Sequence, residues 1–254
     1  AEIAEIAEIA EIIKEIKEKE DNNCYEPGFN KIMIDNLFLK YMAVIFLSSC
    51  LTSQEWEDSF SAGFSDMNGL FIGGSEVLHL VNHKNKMFAS IGYWEDENNI
   101  WYGGFDYSIG WSQIIMLESE DDDWKVDFDL GANYLRPEIL KEVVFTVDFN
   151  GNILESPDTL LIVGAYSPNY TLGNVTANIF IRNDNTNSWD QVLVYQGEFS
   201  SGESCSIRDI ELYKDQETGV ELLIIPIGTK GIFSGKYNPD LDVKIEIGPN
   251  PEIG

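Results

Sequence analysis

The sequence predicts an all-β fold of about three four-stranded units, preceded by an N-terminal helical or signal segment. Three observations predict it. From Trp56 onward short apolar runs alternate with polar turns, a four-strand unit can be traced three times, and landmarks in successive units recur at one spacing. With 12% aromatic and 44% hydrophobic residues in 254, the chain has ample material for a packed core.

Residues 1–32 are low in complexity, reading Ala-Glu-Ile four times and then a Lys/Glu-rich run. These are strong helix formers, so the expectation is a solvated helix or a stretch outside the mature protein. Residues 33–50 have the layout of a secretory signal: Lys40 precedes the apolar run Tyr41 to Leu47, and the small residues Ser48 and Ser49 follow it. That run is far below the roughly 20 residues a membrane-spanning helix needs. Leu47-Ser48-Ser49-Cys50 resembles the bacterial lipobox. The resemblance implies acylation of Cys50, which would become the mature N-terminus and tie the protein to a membrane. Cys24 then lies upstream of the mature chain, and Cys205 is expected as a single buried thiol. Residues 51–72 read as a linker and a leading strand.

The repeats occupy residues 73–254. The first copy gives strands Val77 to Val81, Met87 to Tyr93, Gln113 to Leu117 and Trp124 to Phe128, with a turn at His83-Lys84-Asn85-Lys86. The second gives Val143 to Val147, Leu160 to Tyr166, Ala177 to Ile181 and Trp189 to Tyr195, with a turn at Phe149-Asn150-Gly151-Asn152. The third gives Ile210 to Tyr213, Glu221 to Ile227, Gly231 to Tyr237 and Val243 to Ile247. Val77, Val143 and Ile210 are 66 and 67 residues apart, and Trp124 and Trp189 are 65 apart. Self-similarity of this kind is the pattern of β-propeller blades, which bury their faces only against neighbouring blades. The fold expected is therefore a partial β-propeller of about three blades, with long loops at Glu95 to Trp111 and Ser167 to Val175. A ring typically takes about 4 to 8 blades, so the sequence reads as a fragment of a longer reading frame; a β-sandwich or a three-sheet prism is the alternative that closes without more chain.

The balance of 16 basic against 44 acidic residues, a net charge of −28, repels phosphate backbones, so nucleic acid is not expected as a partner. Asp121-Asp122-Asp123 and Asp148 to Asn152 cluster the oxygens that calcium takes, yet neither has the spacing or closing Glu of an EF-hand. Solvated acidic turns are expected there, with bound calcium as the alternative, and no other cofactor is expected. His79 and His83 are four apart on strand and turn, which is not the helical zinc pattern, and packing or turn roles are expected. Arg182 to Trp189 places an Asp and a Trp as the Asp-box of sialidase-like propellers does, but without its Ser and Gly, and reads as turn chemistry.

Two of the chain's three arginines, Arg136 and Arg208, stand just before a first strand, and Ser75-Glu76 is the corresponding entry in the first copy. With Glu138 and Asp209 they form the candidate ligand-binding set at the channel-lining ends of the blades. The competing expectation is that Arg136–Glu138 and Arg208–Asp209 salt bridges tie neighbouring blades. No nucleophile elbow, phosphate loop or Cys–His pair stands in the sequence to demand catalysis. The repeat resembles blades of exported bacterial propeller proteins over roughly Gly73 to Ile247. That resemblance implies a lipid-anchored cell-envelope module that binds or scaffolds a glycan or protein ligand. The enzyme alternative is a sialidase-like or other glycan-active propeller, using arginines to hold a sugar carboxylate and a carboxylate pair for acid–base work.

Overall fold

The computed structural model describes residues 60–74, 76–92, 112–131, 133–134, 136–169, 174–198 and 204–248. The chain divides into two compact units, Ala1–Glu57 and Asp58–Gly254, and every described residue belongs to the second. The expected N-terminal helix, the signal segment and Cys50 lie outside the described residues, as does the whole of the expected loop from Glu95 to Trp111.

All regular structure among the described residues is β, and it is repeated. A short hairpin, β1 (Phe64–Ser65) and β2 (Phe71–Ile72), precedes three four-stranded antiparallel sheets. The first sheet is β3 (Glu76–His83), β4 (Lys86–Gly92), β5 (Gln113–Leu117) and β6 (Lys125–Asp129) in that order. The second is β7 (Ile139–Val147), β8 (Ile153–Asn169), β9 (Asn174–Asn183) and β10 (Ser188–Glu198). The third is β11 (Glu211–Lys214), β12 (Glu221–Ile227), β13 (Gly231–Tyr237) and β14 (Ile245–Ile247). Each sheet is a simple meander, so neighbours in sequence are neighbours in space, as short turns dictate.

Every expected strand is present, with differences at the ends. β8 begins at Ile153 rather than Leu160, because a register shift opposite Thr146 lets the strand pair again at Val147↔Ile153. Pro157, which interrupts the sequence pattern, falls within that shift, where its missing N–H costs no ladder bond. The expected loop from Ser167 to Val175 is largely strand: Ser167, Pro168 and Asn169 pair with Thr176, Val175 and Asn174. β7 pairs with β8 only up to Gly164, so this extension is paired on one side and accommodates Pro168.

The turns follow local chemistry. Lys84 and Asn85 take φ of 49° and 63° in the two-residue turn between β3 and β4, the left-handed pair that matches strand twist. Asp148 accepts Asn150 N–H and Asn152 N–H on Oδ1, and Gly151, at φ 85°, completes the turn. The Asp148 carboxylate is thus engaged by its own turn.

Packing is between sheets. The second sheet is buried on both sides, so in the run 160–163 Leu161 and Val163 face the first sheet while Leu160 and Ile162 face the third. That explains the unbroken apolar run from Leu160 to Val163, since a strand covered on both faces needs no alternation. Towards the first sheet the cluster joins Phe88, Ile114 and Met116 to Leu161, Val163 and Phe180. Towards the third it joins Val143, Phe145, Leu160 and Ile179 to Leu223, Ile225, Phe233 and Tyr237, with Phe145 stacked on Tyr237 at 4.9 Å. A third cluster packs Ile72 of the leading hairpin, and Phe60 just before it, against Ala89, Ile91, Ile115 and Trp124. Cys205 is buried within the second–third interface, and beside it Ile207 presses so closely on Gly164 that a Cβ there would meet Ile207 Cγ2 at 3.0 Å.

Candidate functional site

Arg136, Glu76 and Glu138 come together across the first and second sheets. Arg136 Nη1 lies 3.3 Å from Glu76 Oε1, and its Nε lies 3.3 Å from Glu138 Oε1. Glu138 continues the chain of contacts, accepting a hydrogen bond from Ser206 Oγ, while its backbone oxygen meets His79 Nε2 at 2.9 Å. The set therefore ties the starts of β3 and β7 to the strand-like segment leading into β11. Arg208 and Asp209 do not join it. Arg208 is exposed and donates to Ser204 Oγ at 3.1 Å, and Asp209 faces Lys141 Nζ at 3.6 Å beside the Lys141–Glu211 pair. The expected Arg208–Asp209 bridge is replaced by one running from Lys141 of the second sheet to the third, because Asp209 can reach the cation on the neighbouring first strand.

The most heavily engaged polar group lies elsewhere, on the turn side of the first and second sheets. Arg182, at 4% exposure, grips Asp127 of β6 with two parallel bonds, Nε to Oδ2 and Nη2 to Oδ1, both 2.9 Å. Such a bidentate fork is the strongest common form of a charge-assisted hydrogen bond. Trp189 Nε1 donates to the same Asp127 Oδ2 at 2.7 Å, and its ring stacks on Phe128. Arg182 also donates to Asp184 and Asn187, and its guanidinium sits 5.0 Å over the Phe88 ring.

Asp184 links this group to His83 and Lys84 of the first sheet. His83, at 1% exposure, places Nδ1 2.7 Å from Glu142 Oε2 and Nε2 3.0 Å from Asp184 Oδ2, and Lys84 Nζ lies 2.6 Å from Asp184 Oδ2. Burial pushes the Asp184 carboxyl up, but the hydrogen bonds from Lys84, His83 and Arg182 outweigh it and hold the group down at about 2. The Asp-box-like segment is thus inter-sheet wiring: its Asp and Trp both reach the preceding sheet.

A polar cleft of about 290 Å³ opens beside this network. Lys84, Asp184 and Asn185 line one part of it, and Asp158, Asp242 and Lys244 another, so residues of all three sheets meet there. Lys244 Nζ and Tyr237 Oη both engage Asp158 Oδ2, at 2.5 and 2.7 Å. Burial raises the Asp158 carboxyl, the bonds from Lys244 and Tyr237 more than offset this, and the net direction is downward. Arg182 and Asp190 complete the polar wall. Alternating carboxylates, amides and ammonium groups around a concave surface can hydrogen-bond a polar ligand from several sides.

The sequence pattern of Arg182, Asp184 and Trp189 is that of a turn, which hides this centre. The signal was present in the run Ile179-Phe180-Ile181-Arg182: strand alternation puts Arg182 on the face of Phe180, which packs on the first sheet. An arginine on a buried face requires a partner.

The described residues form stacked, repeated four-stranded β-sheets linked to one another by ion pairs, of which Arg182–Asp127 is buried. Comparison of the chain with family models, with curated proteins and with solved structures returns no match.

Proposed function

We propose that the three sheets are blades of a β-propeller, and that the protein is a binding or scaffolding module held at the bacterial cell envelope by a lipid on Cys50. The observation that carries the blade reading is the stacking order: first strand lies against first strand, β3 on β7, and fourth against fourth, β6 on β10 and β10 on β14. Sheets stacked in parallel around their first strands are how propeller blades bury both faces. The three-sheet polar cleft supports the binding role, with a glycan or a protein segment as ligand. The lipid anchor is supported by Leu47-Ser48-Ser49-Cys50 behind its short apolar run.

The test is metabolic labelling of the protein in a bacterial host with an alkyne fatty acid, followed by membrane fractionation. The expected result is label on the protein and recovery with membranes, both abolished by Cys50→Ala. An unlabelled, soluble protein, or label that survives Cys50→Ala, overturns the anchor and the envelope address together.

A further inference from the structure

We propose that the open side of the third sheet is a docking face for a fourth four-stranded sheet of the same repeat. The inference rests on the blade reading, and is independent of the lipid anchor and of the cleft's ligand.

The two sides of the second sheet supply the comparison. Its side facing the third sheet consists of Val143 opposite Leu160, Ile162 opposite Ile181, and Ile179 opposite Gly164. Laid strand on strand, the third sheet has Tyr213 opposite Leu222, Ile224 opposite Ser234, and Ile232 opposite Pro226 on its corresponding side. The residue chemistry is preserved at most of these positions, yet the burial is not. Val143 and Ile179 are 4% and 0% exposed, whereas Tyr213 and Ile232 are 52% and 58% exposed. Leu222, Ile224 and Pro226 are only half-buried, while Leu223, Ile225 and Ile227 between them are fully buried against the second sheet.

β12 thus reads Glu-Leu-Leu-Ile-Ile-Pro-Ile, apolar on both faces, like β8 and unlike a strand with one side in water. The middle of that side is apolar, with Glu211, Lys236 and Glu246 at its margins, and an exposed apolar patch on an acidic protein marks an interaction surface. Continuity with the two interfaces already in the stack identifies the occupant, because each sheet turns the same side to its successor. That successor meets it with aliphatic and aromatic residues on the second, third and fourth strands, as Leu223, Ile225, Phe233 and Ile245 do for the second sheet.

A second copy of this chain fits less well. The first sheet's outer side, which a head-to-tail partner would have to offer, is already covered by Phe60 and Ile72. The net charge of −28 also opposes self-association.

The test uses the whole 254-residue chain and the same chain extended at its C-terminus by a second copy of residues 136–248, which supplies a sheet with the matching side. Amide exchange in β11, β12 and β13 is compared, with circular dichroism reporting the strand content of the extension. The expected result is a folded extension and exchange in those strands slowed by about ten-fold or more. A version carrying Ile224→Asp and Ile232→Asp loses that slowing while the unextended double variant stays folded, since both side chains are already partly in water. Equal exchange with and without the extension, or an extension without strand signal, overturns the proposal. Dimerisation of the unextended chain that Ile232→Asp abolishes also overturns it, by assigning the face to a second copy. Because none of these readouts involves Cys50 or a ligand, their failure is separable from failure of the anchor.

Discussion

Asp127 accepts three hydrogen bonds, two from Arg182 and one from Trp189, in surroundings where both charged side chains are nearly inaccessible, 4% and 2% exposed. Removing one partner of a buried pair leaves an uncompensated charge, which typically costs about 3–5 kcal/mol. Asp127→Leu is therefore expected to lower stability by about that amount in urea denaturation. The double variant Asp127→Leu with Arg182→Met should lose less than the single one, since replacing both partners by apolar groups removes the stranded charge. A larger loss in the double variant would show that the pair contributes net attraction beyond its desolvation. The same residues mark what the sequence left unread. Arg136 and Arg208 stood out by their place before first strands, a positional argument that needs only the repeat. Arg136 does meet Glu76 and Glu138 as an inter-sheet bridge, but Arg208 and Asp209 take other partners. Which acid an arginine reaches depends on how adjacent sheets are offset, and strand periodicity within one sheet carries no information about that offset.

At the level of elements, strand order and number were legible because each turn carries its own chemistry and each strand its apolar run. The irregular parts of β7 and β8 were not legible, because a register shift depends on the partner strand. That shift sets a problem that the third sheet solves. Opposite the irregularity, Thr146 N–H and Val147 N–H point at Glu221, whose Oε2 accepts both at 2.7 and 3.3 Å while Thr146 Oγ1 donates to Oε1. Glu221 is buried at 6% exposure. Its burial raises the carboxyl, the bonds from Thr146 and Val147 more than compensate, and it remains an anion at neutral pH. Glu221→Leu keeps the bulk and strands buried donors, each costing about 1–3 kcal/mol. The expected outcome is a clear fall in the thermal midpoint. Glu221→Gln, which keeps one acceptor, should recover part of it, and identical midpoints for the two variants would mean that the acceptor role is not what stabilises the shift.

Across the whole molecule, the sequence foretold stacked sheets but not where charge would be buried between them, and that burial sets how the fold responds to pH. Among the described residues, each carboxylate with a displaced titration, including Asp66, Asp158, Asp184 and Glu221, is displaced downward. A carboxyl held lower in the folded state than in the unfolded chain contributes stability that is present above its unfolded value and lost as pH falls through its folded one. For Asp184 that interval runs from 3.8 to about 2. The tyrosines act at the other limit: burial raises Tyr134, and burial with the bond to Asp158 raises Tyr237 above the ordinary value of 10.0. A raised group contributes stability that is intact below its unfolded value and lost above it. Denaturation midpoints measured across pH should accordingly form a plateau between about pH 5 and pH 9, falling below about pH 4 and again above about pH 10. Asp184→Asn should lower the plateau and flatten the acid limb, because a group that no longer titrates cannot contribute to the slope. Tyr237→Phe should do the same to the alkaline limb. The net charge of −28 adds a repulsion that falls as acids protonate, working against the loss on the acid side. Added salt separates the two effects, since it screens the diffuse repulsion far more than the buried contacts of Asp184. A midpoint that rises continuously from pH 5 down to pH 3 at low salt and loses its pH dependence over that range at high salt would show that repulsion, and not the inter-sheet wiring, governs the acid response.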